Sequence, residues 1–249
     1  MLNAQTIIYF VLSAFAVLVT LTIHEYCHAY AAYKLGDPTA KSLGRLTLNP
    51  IKHLDPIGAV CMLIFHFGWA KPVPINARYF KKPKRDFAIV ALAGPLSNLI
   101  IAFISAFVWL LLQAVFRGVG TSNAFLLAVM RNTASFVGLF HTINLGIAIF
   151  NLIPIPPLDG SRILNVILPE KTYFKIMKYE RTIYYGMLAW LLLGDYVYRF
   201  LSSIYVIAAS PILSAIVKIF SLSEILSIAI NGLSSLMIDF WQLFPFLAL

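Results

Sequence analysis

Ala4 to Ile23 is a run of 20 residues without a charged side chain, Phe87 to Phe116 a run of 30, and Asn132 to Leu158 a run of 27. Coiled as helix at about 1.5 Å per residue, each is long enough to cross roughly 30 Å of hydrocarbon, and a water-soluble fold has no place for three such runs. Composition agrees. The chain is 60% apolar and only 12% charged, where soluble domains hold about 45–50% apolar and about 25% charged residues. Disorder, collagen and a disulfide scaffold are excluded as well, since 13 Gly, 13 Pro and 2 Cys in 249 residues fit none of them. The expected fold is an all-α polytopic membrane protein, a bundle of about five to six transmembrane helices with a short membrane-associated β or re-entrant segment.

The three long runs are secure spans. Before the first, Met1-Leu2-Asn3 carries no basic segment, and no small-residue cleavage site follows, so the run reads as a retained span and not a signal peptide. Thr182 to Gly194 and Phe200 to Val217 are interrupted by Asp195 and Arg199, which at i,i+4 can neutralise each other inside one helix. Ile225 to Ile238 is shorter and contains Asn231-Gly232, leaving spanning, interfacial and hairpin placements open. Asp55 to Asn76 is too short and too rich in Pro and Gly for a span and reads as a re-entrant or extended segment shielded by protein. Just before it, Gly44 to Asn49 alternates with period two, a strand signal.

The net charge of +9, with so little polar surface to carry it, points to membrane orientation and not to nucleic acid. Ten of the 19 Lys and Arg lie between Lys34 and Arg85, and five more are Arg162, Lys171, Lys175, Lys178 and Arg181. If both groups are cytoplasmic, the first span runs from outside to inside, the second outward and the third inward, which requires that Asp55 to Asn76 does not cross. The N-terminus then lies outside. The cluster Lys81, Lys82, Lys84 and Arg85 reads as topogenic or headgroup-binding. Cys27 and Cys61 have no spacing for a framework or a cysteine metal site and read as small buried residues.

At the inner end of the first span stands His24-Glu25-Tyr26-Cys27-His28, an H-E-x-x-H pattern. At 100° per residue, His24 and His28 differ by about 40° in direction and one turn in height, so both imidazoles reach one zinc ion. Glu25 flanks the metal, where it can remove a proton from the attacking water as general base. Catalytic zinc sites usually use three protein ligands. The candidate third is Asp159 in Asn151-Leu152-Ile153-Pro154-Ile155-Pro156-Pro157-Leu158-Asp159-Gly160, where the prolines end the third span and Gly160 permits a turn that carries Asp159 on an unwound segment.

These two motifs, with Ala93-Gly94-Pro95-Leu96-Ser97-Asn98 between them, resemble the site-2 protease family of intramembrane zinc metalloproteases over roughly residues 5 to 165. The resemblance implies that His24, His28 and Asp159 bind one Zn²⁺ and that Glu25 is catalytic. It also implies that Asn151 assists substrate or transition-state binding, and that Gly68 to Asn76, including Gly68, Trp69, Pro72 and Val73, forms a substrate-contacting loop. Many relatives carry a PDZ or CBS domain; no stretch here has the length or composition of either, so a minimal member is expected.

The implied activity is hydrolysis of peptide bonds within or beside transmembrane segments of membrane-protein substrates, as in regulated intramembrane proteolysis. The expected location is a bacterial or archaeal cell membrane with the site toward the cytoplasm. Residues 1–165 would form the catalytic core and residues 166–249 further transmembrane or interfacial helices of the same single domain. A helical substrate must unwind before cleavage, and Gly44 to Asn49 or Val73 to Ile75 is the proposed edge with which it pairs. A non-proteolytic zinc transporter or scaffold is the rival reading, disfavoured because the ionisable cluster lies at one depth and Glu25 is intact. His53, His66 and His141 read as hydrogen-bonded packing residues, as do Gly94, Asn98 and Asn144 at helix contacts.

Overall fold

The structure, a computed structural model, describes residues 4–58, 70–203, 210, 214, 218 and 221–247. The long helices are α1 (Ala4–Lys34), α2 (Pro83–Gly118) and α3 (Ala124–Leu152). Three further helices follow in quick succession, α4 (Asp159–Ile167), α5 (Glu170–Lys178) and α6 (Glu180–Ser202), and α7 (Leu222–Gln242) closes the series. Local chemistry marks the boundaries. Pro83 opens α2, where its missing N–H costs no helical bond. Asn123 caps α3 by accepting from the N–H groups of Phe125 and Leu126, and Ser221 caps α7 through Glu224 N–H.

Four helices among the described residues are long and apolar enough to cross a membrane: Gln5–Lys34, Pro83–Gly118, Ala124–Leu152 and Leu222–Gln242. The expected five to six spans are therefore not reached among these residues. α6 is a continuous 23-residue helix, but Glu180, Arg181, Asp195 and Arg199 leave it below the required apolarity. Asp195 does not neutralise Arg199 there; it accepts hydrogen bonds from Ser221 Oγ and Ser223 Oγ at the start of α7. Most of Phe200 to Val217 beyond residue 203 lies outside the described residues.

α1, α2 and α3 pack on one another, with α4 against α2 and α7 against both α2 and α3. Small side chains make these approaches close: Ala16, Ala32, Ala102 and Ala148 are fully buried. In lipid, where apolar burial between helices gains little over contact with acyl chains, such close packing and interhelical hydrogen bonds supply the association. His141 is one of the latter, bonding Ala102 O on α2 at 2.8 Å and Ser234 Oγ on α7 at 2.9 Å.

The strand expected at Gly44 to Asn49 does not form. Gly44 ends the one-turn helix Thr39–Ser42 with φ of 66°, which breaks the extended run, and the alternation instead turns Arg45 inward. No strand occurs among the described residues, only an isolated antiparallel bridge between Leu54 and Ala70. That bridge sets the two ends of residues 55–69 side by side; the re-entrant segment expected there falls largely on residues 59–69, outside the described residues. Beyond it, residues 71–76 form neither helix nor strand and are held by side chains. Arg45 Nη2 donates to Lys71 O at 2.6 Å, and the buried Asp37 accepts from Asn76 N–H at 2.7 Å.

Candidate active site

α1 brings His24 and His28 one turn apart, both about nineteen-twentieths buried, with their rings edge to face. Their Nε2 atoms lie 3.0 Å apart, and Asp159 Oδ2 lies 3.2 Å from the first and 3.1 Å from the second. These three donors, from helices 131 to 135 residues apart in sequence, form a group that can hold a metal ion. Zinc bonds of about 2.0–2.1 Å in a tetrahedron set neighbouring donors roughly 3.3 Å apart, close to the edges observed. Two imidazole lone pairs converging on a carboxylate at this spacing suit a cation between them, and the His₂-carboxylate set suits zinc.

Both imidazoles are oriented from behind by α2. His28 Nδ1 donates to Val90 O at 2.7 Å, and His24 Nδ1 donates to Asn98 Oδ1 at 2.6 Å. Those donations leave each Nε2 as the lone-pair atom. Gly94 lies between the two acceptors, one helical turn from each. An ideal Cβ on it would stand 2.6 Å from His28 Cε1 and 2.7 Å from His24 Cε1. The rings thus occupy the space where any other residue would place a side chain.

Asp159 arrives by a different route. After α3 ends at Leu152, Ile153 to Leu158 is non-helical, and Asp159 is the first residue of α4 and not part of the unwound segment. Gly160 does not supply a left-handed turn, because its φ is not positive. Its value is proximity: a Cβ there would lie 2.6 Å from the carbonyl carbon of Leu152, so only glycine lets the first turn of α4 rest against the end of α3. Burial pushes the Asp159 carboxyl up, but hydrogen bonds from His24 and His28 outweigh it and hold the group below the usual carboxylate range.

Glu25 faces the same space. Its Oε2 accepts the N–H of Val73 at 2.9 Å, so the segment 71–76 holds this carboxylate beside the three candidate ligands. A cavity of about 360 Å³ opens here, lined by His24, Glu25, His28, Pro72, Val73, Asn151 and Asp159 among others. Seven of the residues singled out in the sequence therefore meet in one cavity. Gly68 and Trp69 lie outside the described residues, as does His66. His53 stands apart, bonded to Thr47 O at 2.8 Å. Sequence reasoning missed that Arg162 and Phe87 also line the cavity, Arg162 being held by Glu180 at 2.8 Å. Asn98, expected to make an interhelical hydrogen bond, does so, and its partner is the imidazole of His24.

Helices long enough to span, with two buried histidines and a carboxylate that could hold a metal and a flanking Glu in the same cavity, fit an integral membrane protein of the zinc metallopeptidase class. A sequence profile of peptidase family M50 matches residues 12–194, and the chain belongs to that family, the site-2 protease family. It is 44% identical over 185 residues to "Putative zinc metalloprotease YwhC" of Bacillus subtilis (strain 168), covering 72% of this chain and 80% of that protein. It is 33% identical over 163 residues to "Putative zinc metalloprotease Rip2" of Mycolicibacterium smegmatis, covering 62% of this chain and 56% of the relative. "Zinc metalloprotease MJ0392" of Methanocaldococcus jannaschii is 30% identical over 153 residues, 61% of this chain and 33% of its own length. No solved structure matches.

Proposed function

We propose that this protein is a zinc endopeptidase that hydrolyses peptide bonds within or next to transmembrane segments of membrane-protein substrates. The observation that carries the reading is Glu25, clamped by Val73 N–H in the cavity where His24, His28 and Asp159 converge. His24, His28 and Asp159 hold the zinc ion, which when bound polarises the scissile carbonyl and activates water. Glu25 takes the proton of the attacking water and returns it to the departing amine. Among the described residues its second carboxylate oxygen has no protein hydrogen bond, which leaves it available to that proton. Asn151, on the cavity wall, binds the substrate backbone near the reacting carbonyl.

A substrate helix hides its amides in its own hydrogen bonds and must open before it can be cut. Residues 71–76, which form neither helix nor strand, offer backbone groups with which an opened chain pairs, and Pro72 and Val73 stand at that edge. Gly44 to Asn49, the other edge considered, runs through a turn at Gly44 and a bend at Leu46 and Thr47, and residues 71–76 are favoured over it. Residues 1–165 act as the catalytic core and residues 166–249 as accessory helices of one domain. The concentration of Lys and Arg on the flanks of the site supports a cytoplasmic active site and an outer N-terminus in a cell membrane.

The test uses protein purified in detergent: zinc per chain, and cleavage of a single-span substrate, for wild type, Glu25→Gln and Asp159→Ala. The expected result is about one zinc per chain, kept in Glu25→Gln and weakened in Asp159→Ala, with cleavage lost in both. Zinc bound with cleavage indifferent to Glu25→Gln refutes the assignment and favours a non-proteolytic zinc protein.

A further inference from the structure

We infer that Asn144, two hydrogen bonds away from the metal-binding group, is a positioning residue that sets which nitrogen of His24 faces the metal; this rests on the proposal that His24 is a zinc ligand. A buried chain of side chains joins three helices. Asn144 Nδ2 on α3 donates to the Phe140 carbonyl at 2.8 Å and to Thr20 Oγ1 on α1 at 3.0 Å. Asn144 Oδ1 accepts from Asn98 Nδ2 on α2 at 2.9 Å, and Asn98 Oδ1 accepts from His24 Nδ1 at 2.6 Å. Thr20, Asn98 and Asn144 are each fully buried, so no water competes for these groups.

The direction of the chain follows from its far end. A backbone carbonyl only accepts, so the Asn144 edge that meets Phe140 must be the NH₂ edge. Its oxygen therefore turns to Asn98, which must answer with its own NH₂ and present its oxygen to His24. An oxygen there requires a proton on Nδ1, and in the neutral ring that leaves Nε2 as the lone-pair donor. Without Asn144, nothing in the chain distinguishes the two edges of the Asn98 amide. A flipped Asn98 would offer NH₂ to Nδ1, favouring the tautomer whose Nε2 carries the proton and cannot bind metal. One main-chain carbonyl on α3 thus selects, through two amides, the metal-binding tautomer of a histidine on α1.

The test is a double-mutant cycle read as zinc affinity, by chelator competition on purified protein in detergent, with no reference to proteolysis. Asn144→Leu is expected to weaken zinc binding by about 10- to 100-fold, the usual cost of losing an outer-shell partner. Asn98→Asp in the Asn144→Leu background is expected to restore it to within about threefold, because a carboxylate cannot present a donor when it rotates. In the presence of Asn144 the same Asn98→Asp sets an oxygen against Asn144 Oδ1, so on its own it gains nothing. Asn144→Ala, which adds no bulk, is run in parallel and carries the same expectations should leucine not fit. Unchanged affinity in the Asn144 variants overturns the inference, and so does a loss that Asn98→Asp does not repair, which marks a packing role. A wild-type chain that binds no zinc overturns the metal site itself, a distinct failure.

Discussion

Replacing Gly94 by alanine tests how tightly the imidazoles are held. The added methyl would stand 2.6 Å from His28 Cε1 and 2.7 Å from His24 Cε1, about 0.8–0.9 Å inside the closest comfortable carbon–carbon separation of roughly 3.5 Å. Neither ring can swing away without breaking its bond to Val90 O or Asn98 Oδ1. Metal–ligand distances tolerate only about ±0.2 Å, so a shift several times larger takes at least one nitrogen out of reach. Backbone relief would have to move α1 off α2, an overpacking cost of about 1–3 kcal/mol. Zinc affinity of Gly94→Ala should therefore fall by at least about 100-fold, beyond the 10- to 100-fold loss of a single outer-shell bond. The assay is chelator competition, with circular dichroism and thermal unfolding in detergent as the control for fold. A folded Gly94→Ala protein with wild-type zinc affinity would show that the rings do not occupy this space, and the site geometry derived above would be wrong.

Four further changes separate the parts of the site. Gly160→Ala drives a methyl into the backbone at Leu152; backbone cannot rotate aside, so thermal unfolding should register a loss of about 1–3 kcal/mol and zinc affinity should fall as Asp159 is displaced. Val73→Pro deletes the N–H that holds Glu25, so zinc content should stay at wild type while cleavage falls roughly tenfold or more; unchanged cleavage would show that the clamp is idle. Removing zinc with a chelator should lower the unfolding temperature, since the ligating atoms proposed on His24, His28 and Asp159 lie within 3.2 Å of one another and an ion bound there favours the folded state. Asp159→Ala should abolish most of that zinc-dependent shift, and a shift of wild-type size in this variant would remove Asp159 from the ligand set.

Local periodicity and length made much of this protein legible. An uncharged run of 20 to 30 residues has few physical outlets, so the membrane class and three of the spans were readable from Ala4–Ile23, Phe87–Phe116 and Asn132–Leu158. The pairing of His24 with His28 follows from the pitch of a helix, which needs no tertiary information. Asp159 was reachable by asking what completes such a site. Reading failed where the deciding partner lies far along the chain or where two local conformations compete. The alternation of Gly44 to Asn49 suits a strand, yet no second strand is present among the described residues to pair with it, and the buried Arg45 binds Lys71 instead.

Tertiary structure alone decided how the second layer of the site is wired. Gly94 and Gly160 look in sequence like helix-packing and turn glycines; only the approach of two imidazoles, and of α4 to the end of α3, shows that each marks a place where a Cβ cannot exist. Asn98, Asn144 and Thr20 stand out in sequence merely as polar residues in apolar helices. Their bonds join positions 46 to 124 residues apart, and which of several buried groups an amide meets depends on the rotation and depth of three helices against one another. Composition and periodicity specify a helix and its apolar character. They do not specify that relative placement, which is set by the sum of many close contacts between small residues distributed along all three helices.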